Sequence, residues 1–370
     1  MNQQIIPKSS QNIQHSSLLQ SVVESVFSPT TFDFWASHIN AAWSWQRPLA
    51  RIVAKETAAK DAITLTLKPN RHVQSFLAGQ HVNIVAEING IRLSRSYSPS
   101  FIPNQNGVFT ITVKRMAGGK VSNWLIDQAS VGDVIEVGDA FGAMTLSDQQ
   151  LKHTFLAAGS GITPFISLVR HWVAQGAVGS LTLIYWAQTR DELCNAMEFN
   201  QLAEAYPNFR VHYALTQEDR VQPHELNERI NAELFASLVS DLDEQIVYAC
   251  GPAGFVELAR ELTEAQAHGF YGEAFSLPLL AETDGARINV QLTKSNRTVS
   301  VPVGQPLLAA LEAQGLKPAS GCRMGICNTC ACIKHAGTTE HVLTKDRHSE
   351  AGDSVRICVS SARSDLTLDL

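Results

Sequence analysis

No run in this 370-residue chain approaches the roughly 18 consecutive apolar residues that a membrane-crossing helix needs. The first 17 residues hold one lysine and no apolar core, so they are not expected to act as a signal peptide. The expected location is therefore cytoplasmic. Tandem C-x2-C pairs of the zinc-ribbon kind are missing, as are internal repeats and low-complexity tracts. A surplus of basic charge is also missing: the formal net charge is −6, which excludes nucleic acid as the main partner because phosphate binding needs a basic surface. That total hides an asymmetry. Residues 286–370 carry ten Lys/Arg against seven Asp/Glu, so the remainder is the more acidic part.

What is present fits a multidomain protein with a substantial core, 45% hydrophobic and 17% charged. Residues 1–46 are expected to form an N-terminal extension, polar at first. Two short amphipathic helices should follow, one over Leu18–Phe27 and one over Phe34–Trp43, packed on the next domain. Residues 47–148 read as short alternating strands (LARIVAKE, AITLTLKP, HVNIVAEI, FTITVKR, DVIEVGD) and predict a closed antiparallel β-barrel. Residues 149–275 alternate apolar strands with amphipathic helices, the pattern of a parallel α/β sheet covered on both faces. A Gly- and Pro-containing linker is expected over 276–285. Residues 286–370 then read as hairpin, helix and a cysteine-rich loop, an α+β domain.

Five of the seven cysteines lie in the last 49 residues. Cys322, Cys327 and Cys330 stand at C-x4-C-x2-C spacing, and Cys358 follows after 27 intervening residues. That is the ligand spacing of a plant-type [2Fe–2S] cluster. Two irons and two bridging sulfides need four converging thiolates; a tight loop supplies three and a distant strand the fourth. Gly321 and Gly325 let the backbone wrap closely and aim N–H groups at sulfur. Cys332 is left over and reads as a small buried hydrophobe. The order hairpin, helix, GCRMGICNTCACIKHAG resembles the plant-type ferredoxin β-grasp domain, a carrier of single electrons.

The segment Arg95-Ser96-Tyr97-Ser98 resembles the R-x-Y-S flavin motif of the ferredoxin–NADP reductase superfamily. The resemblance implies that Arg95 pairs with flavin phosphate, Tyr97 lies against the isoalloxazine and Ser98 hydrogen-bonds near N5. Gly118-Gly119-Lys120-Val121-Ser122 opens a helix whose free N–H groups form an anion site. In that family Gly119, Val121 and Ser122 would cradle the FAD pyrophosphate, which favours FAD over FMN. Gly159-Ser160-Gly161-Ile162-Thr163-Pro164 follows a strand and opens a helix, placing Gly159, Gly161, Thr163 and Pro164 at a nicotinamide dinucleotide. It differs from the G-x-G-x-x-G dehydrogenase fingerprint. Cys250-Gly251-Pro252 is similar to the family's C-G-P, with the cysteine beside nicotinamide C4. Gly272-Glu273-Ala274-Phe275 resembles the closing segment, with Phe275 against the flavin and Glu273 nearby. The expected catalytic set is Ser98, Cys250, Glu273 and Phe275. Arg190 and Arg220 are available to a 2′-phosphate and tilt the choice between NADPH and NADH toward NADPH, although Gln217 stands where relatives carry arginine.

The resemblance spans residues 47–370 and implies an NAD(P)H oxidoreductase relaying electrons through FAD and [2Fe–2S] to a terminal acceptor. The tryptophan-containing extension points first to a membrane-embedded di-iron fatty-acid desaturase or hydroxylase. The protein would then sit peripherally at the inner membrane through that partner. The alternatives are a soluble ring-oxygenating multicomponent enzyme or the hybrid-cluster protein as acceptor. Outside enzymes, the alternative is a redox-sensing protein.

Overall fold

The computed structural model describes residues 29–103, 105–146, 152–222, 225–275 and 285–370. The helix expected over Leu18–Phe27, the 148/149 boundary and nearly all of the 276–285 linker lie outside them. Two compact units result: the chain up to Ala249 with Leu262–Tyr271, and Cys250–Glu261 with Gly272–Leu370.

The first unit begins with helix α1 (Pro29–Ile39). Asp33 anchors it, its carboxylate accepting from the Trp45 N–H at 2.6 Å and the Ser44 hydroxyl at 2.9 Å. The segment does contact the next domain, Asn40 Oδ1 accepting from Arg51 at 2.6 Å and the Ala42 carbonyl from Asn70 at 3.1 Å, but its large apolar side chains Phe34, Trp35, Ile39 and Trp43 are exposed rather than packed there as expected.

Seven strands follow: β1 (Leu49–Ala59), β2 (Ala62–Pro69), β3 (His81–Ile88), β4 (Ile91–Tyr97), β5 (Pro99–Ile102), β6 (Gln105–Lys114) and β7 (Val134–Phe141). They form one antiparallel sheet in the order β4-β3-β7-β1-β2-β6-β5. Asn89 and Gly90, both at positive φ, make the two-residue turn that twisted hairpin strands favour, with Ile88 opposite Ile91. Strands β4 and β5 occupy opposite edges of this sheet, yet only Ser98 separates them in sequence. The sheet must therefore roll until its edges meet. The result is the barrel-like antiparallel sheet expected, with β4 and β5 at the two ends of its strand order. Its interior is filled by Ile52, Leu65, Leu67, Phe76, Phe109 and Ile111 among others, plugged by Val121 and Leu125 of α2 (Lys120–Asp127). Each fully buried side chain of this kind contributes about 1.5–3 kcal/mol.

The second sheet comprises β8 (Lys152–Ala158), β9 (Ser180–Ala187), β10 (Phe209–Leu215), β11 (Glu225–Leu226), β12 (Gln245–Gly251) and β13 (Gly269–Ala274), in the order β11-β10-β9-β8-β12-β13. Strands β8 to β11 run parallel. Helices α3 (Ile162–Ala174), α4 (Ala196–Ala205), α5 (Ala232–Leu238) and α6 (Ala253–Thr263) alternate with the strands. Near-continuous burial along β9 and β12 explains their unbroken apolar sequences.

The second unit carries the hairpin β14 (Arg287–Leu292)/β15 (Arg297–Pro302), helix α7 (Leu307–Ala313) and strands β16 (Ala331–Ala336), β17 (Thr339–His341), β18 (Arg347–His348), β19 (Ser354–Arg356), β20 (Ser360–Ala362) and β21 (Leu366–Leu368). The main sheet runs β15-β14-β21-β16-β19, with β14 and β21 parallel, as a β-grasp requires. Cys332 sits in its hydrophobic core, as expected, and burial pushes its thiol up to about 12.

Candidate functional site

The flavin segment runs along β4 into the one-residue crossover. Ser96 donates to Asn83 Oδ1 at 2.7 Å across the hairpin. Tyr97 packs against the barrel core, and burial, opposed by the charge of Arg95, raises its phenol pKa. Ser98 is 4% exposed. Its Oγ lies 3.0 Å from His81 Nδ1 and 3.3 Å from Thr163 Oγ1. Thr163 in turn donates to the Ser160 carbonyl at 3.1 Å. The structure therefore joins the flavin motif to the G-x-G-x-T-P turn through two hydroxyls. His81 was not singled out from the sequence, because within AGQHVNI it reads as an ordinary strand residue.

Beside this, Gly118 at φ 69° leads into Gly119, which opens α2 with no side-chain cap and no acidic residue in the first turn. A Cβ on Gly119 would stand 2.4 Å from Ser122 Oγ and 2.9 Å from Met116 Cβ, so only glycine lets Ser122 and the uncapped N–H groups of the first turn crowd together there. Between the β3–β4 hairpin and α2 lies a cavity of about 310 Å³, lined by Ile91, Leu93, Lys120, Asn123 and Trp124 among others. Uncapped N–H groups, a bare glycine and an adjoining half-apolar cavity are what a dinucleotide flavin asks of its host, so the residues present fit FAD.

Gly159 takes φ 56° with nothing within 4 Å of where a Cβ would be, and Pro164 sits in the first turn of α3. Arg190, after β9, is engaged by two carboxylates, Glu218 and Glu225. Arg220 is exposed, and its carbonyl accepts from Arg190 at 3.0 Å.

In the second unit Cys250 is fully buried, and burial followed by the Glu273 charge raises its thiol pKa well above the ordinary range. The Phe275 N–H donates to the Gly251 carbonyl at 2.9 Å, drawing the Gly272–Phe275 segment alongside Cys250-Gly251-Pro252.

The cysteine loop fits an iron–sulfur cluster. Thiols of Cys322 and Cys327 are in hydrogen-bonding contact, as are those of Cys330 and Cys358. Among the described residues no three His, Cys, Asp or Glu are grouped as a single metal ion would need. Two contacting pairs are instead what two irons, each taking two thiolates, require. The shared proton holds the Cys327 thiol down at about 4, Thr329 Oγ1 adding to this, and holds Cys330 at about 7, while it raises their partners Cys322 and Cys358, so each pair gives up one proton readily and keeps the other. Backbone N–H groups of Met324, Ile326 and Cys327 point at Cys322 Sγ at 3.3–3.4 Å, and Gly325 N–H at Cys358 Sγ at 3.2 Å. These donors stabilise negative sulfur. Gly325 is at φ 77°, and a Cβ there would meet Val359 Cγ2 at 2.8 Å. Arg323 braces the loop through a two-pronged pair with Glu312 at 2.5 and 2.7 Å.

Comparison with known proteins finds the same three kinds of domain in the same order. Residues 49–145 match the oxidoreductase FAD-binding domain family, 155–261 the oxidoreductase NAD-binding domain family and 290–363 the 2Fe-2S iron-sulfur cluster binding domain family. An NADPH oxidoreductase of Mycobacterium tuberculosis is 28% identical over 359 residues, 95% of this chain and 92% of the relative. NADH oxidoreductase HCR of Escherichia coli is 30% identical over 300 residues, 79% of this chain and 88% of the relative. Other relatives are named as reductase subunits or components of monooxygenases and dioxygenases. Among solved structures, phthalate dioxygenase reductase, described as a modular structure for electron transfer from pyridine nucleotides to [2Fe-2S], superposes with TM-score 0.61 at 25% identity. That match covers 87% of this chain and 97% of the other. The chain belongs to the ferredoxin–NADP reductase superfamily, in the branch whose flavin and nucleotide domains are fused to a C-terminal [2Fe–2S] ferredoxin domain.

Proposed function

We propose that this chain is the reductase component of an oxygenase system, passing electrons from NAD(P)H to a separate terminal oxygenase, with roles for its residues as follows. Bound FAD exchanges both one and two electrons and a [2Fe–2S] cluster carries one at a time, which is the conversion a nicotinamide donor and a one-electron acceptor require. Arg95 and the bare first turn of α2, with Gly119, Val121 and Ser122, neutralise the FAD phosphates. Tyr97 presents its ring to the isoalloxazine. Ser98, oriented by His81 and Thr163, offers a hydroxyl at the flavin edge. Gly159, Gly161, Thr163 and Pro164 form the turn that receives the nucleotide. Cys250 and Glu273 serve the nicotinamide end, with Gly251 and Pro252 shaping the backbone and Phe275 stacking where nicotinamide enters. Cys322, Cys327, Cys330 and Cys358 hold the cluster.

The observation that most directly supports this reading is the 3.3 Å approach of Ser98 to Thr163, because it sets the flavin motif and the nucleotide turn within one hydrogen bond of each other. Relatives named for monooxygenases and dioxygenases favour an oxygenase as acceptor. A membrane di-iron fatty-acid desaturase or hydroxylase is the second reading, motivated by the exposed Phe34, Trp35 and Trp43. No helix among the described residues is long and apolar enough to cross a membrane. Binding of the full chain to anionic lipid vesicles would favour this second reading, and its absence the first.

The test of the reductase reading is Cys327→Ser. Cytochrome c reduction by NAD(P)H should be lost while ferricyanide reduction, taken at the flavin, survives. Equal retention of both activities would sink the relay.

A further inference from the structure

Strands β8, β9 and β10 are parallel and in register, Ala158 opposite Trp186 and Ala187 opposite Leu215, so their carboxyl ends share one edge of the sheet. Dinucleotides lie across that edge in open α/β sheets. Strand β8 ends there in the Gly159–Gly161 turn, β9 in Thr189-Arg190, and β10 in Thr216-Gln217-Glu218. Backbone bonds from Thr216 N to Ala187 O at 3.0 Å and from Gln217 N to Gln188 O at 2.8 Å tie the last two ends together. The Arg190/Glu218 cluster thus lies where the ribose of a bound dinucleotide would present its 2′ substituent.

The arginine expected to welcome a 2′-phosphate is already spent. Arg190 Nε and Nη2 bond Glu225 in a two-pronged pair at 2.7 and 2.6 Å. Its Nη1 reaches Glu218 Oε1 at 3.2 Å, and its backbone N–H bonds Glu218 Oε2 at 2.8 Å. The Glu225 side chain is 3% exposed and that of Glu218 is 21% exposed. One guanidinium facing two carboxylates leaves the cluster net negative. A 2′-phosphate, carrying roughly two negative charges at neutral pH, would have to pull Arg190 away from the two-pronged pair with the almost wholly buried Glu225 carboxylate. A ribose 2′-hydroxyl asks only for an acceptor. Each Glu218 oxygen accepts one bond from Arg190 and has a second lone pair to offer.

We infer that Glu218 is the specificity-determining residue for the nucleotide: it accepts the 2′-hydroxyl of NADH and repels the 2′-phosphate of NADPH, while buried Glu225 locks Arg190 out of phosphate binding. NADH is then the electron donor, and the tilt toward NADPH drawn from Arg190 and Arg220 is reversed. Arg220 remains at the rim, but it is exposed, and a solvated arginine recovers little against the buried pair. The inference rests on the reductase reading and narrows its substrate.

The test uses the full chain carrying FAD and cluster. Ferricyanide reduction should favour NADH over NADPH in kcat/KM by roughly 100-fold, the penalty for a mismatched polar group in a site built for another. Calorimetric titration of the same protein should show 5′-AMP binding more tightly than 2′,5′-ADP. In Glu218→Gln the affinity for 2′,5′-ADP should rise about tenfold, most clearly at low ionic strength where charge repulsion is least screened. Equal or better use of NADPH, tighter binding of 2′,5′-ADP than of 5′-AMP, no binding of either fragment, or no response of the 2′,5′-ADP affinity to Glu218→Gln would each overturn it. The wild-type comparisons decide the matter if that variant does not fold. Bound flavin that neither nucleotide reduces would instead refute the reductase reading, with the fragment titrations still reporting on selectivity.

Discussion

Gly159 and Gly325 both turn the chain at positive φ, 56° and 77°, but into opposite surroundings. A side chain on Gly159 would meet open space, whereas one on Gly325 would run into Val359 at 2.8 Å. The Gly159 turn leaves the side where a Cβ would point open. The cysteine loop is pressed against its own domain, and the Arg356 side chain grips the Gly325 carbonyl as well. Under the proposed function, the turn that would receive an exchangeable dinucleotide is left accessible and the loop that would hold a resident cluster is locked from behind.

Substitutions can break this contrast, beginning with the cysteine loop, where the effect should be largest. Gly325→Ala collides with Val359 and displaces the N–H that faces Cys358, so cluster content should fall to near zero. Loss of visible absorbance and of the reduced-state EPR signal would report it, with ferricyanide reduction preserved; a fully loaded variant would show that the loop tolerates the side chain. Next, Ser98→Ala removes the hydroxyl shared with His81 and Thr163. Flavin reduction by nucleotide, followed in stopped flow, should slow roughly 100-fold, as when a preorganised donor is deleted, without a change in thermal midpoint. Gly159→Ala adds only backbone strain, about 1–2 kcal/mol for a residue forced to positive φ, and should raise KM for the nucleotide while the cluster spectrum stays intact. The smallest effect belongs to Lys152→Ala, whose partners Asp241 and Glu244 are exposed at the opposite end of β8 from the turn. Neither melting temperature nor turnover should move measurably.

Much of the fold was readable before any coordinates. Strands β8, β9 and β12 show as continuous apolar runs because both faces are covered, and the Asn89-Gly90 turn marks its own hairpin. The ferredoxin domain was readable because the cysteine spacing is itself the geometry of a loop. Other features were hidden for a stated reason. Strand periodicity points to the antiparallel barrel but does not encode that β4 and β5, at opposite ends of its strand order, join through Ser98 alone. His81 and Thr163 lie 17 and 65 residues from Ser98 in sequence, so neither advertises itself as its partner. The exposure of Phe34, Trp35 and Trp43 was equally invisible, since an amphipathic pattern says that a face is apolar and not what covers it.

Read alone, the sequence determined the things that short contiguous segments control: four thiols at cluster spacing, a flavin-type strand end, a glycine turn before a helix, and the order in which they come. Tertiary structure alone decided what faces Arg190. Glu218 and Glu225 stand 28 and 35 residues from Arg190 and reach it only because parallel strands bring their carboxyl ends together. A guanidinium attracts phosphate or is neutralised according to what folding sets beside it, and electrostatic energy depends on distance in space rather than on separation along the chain.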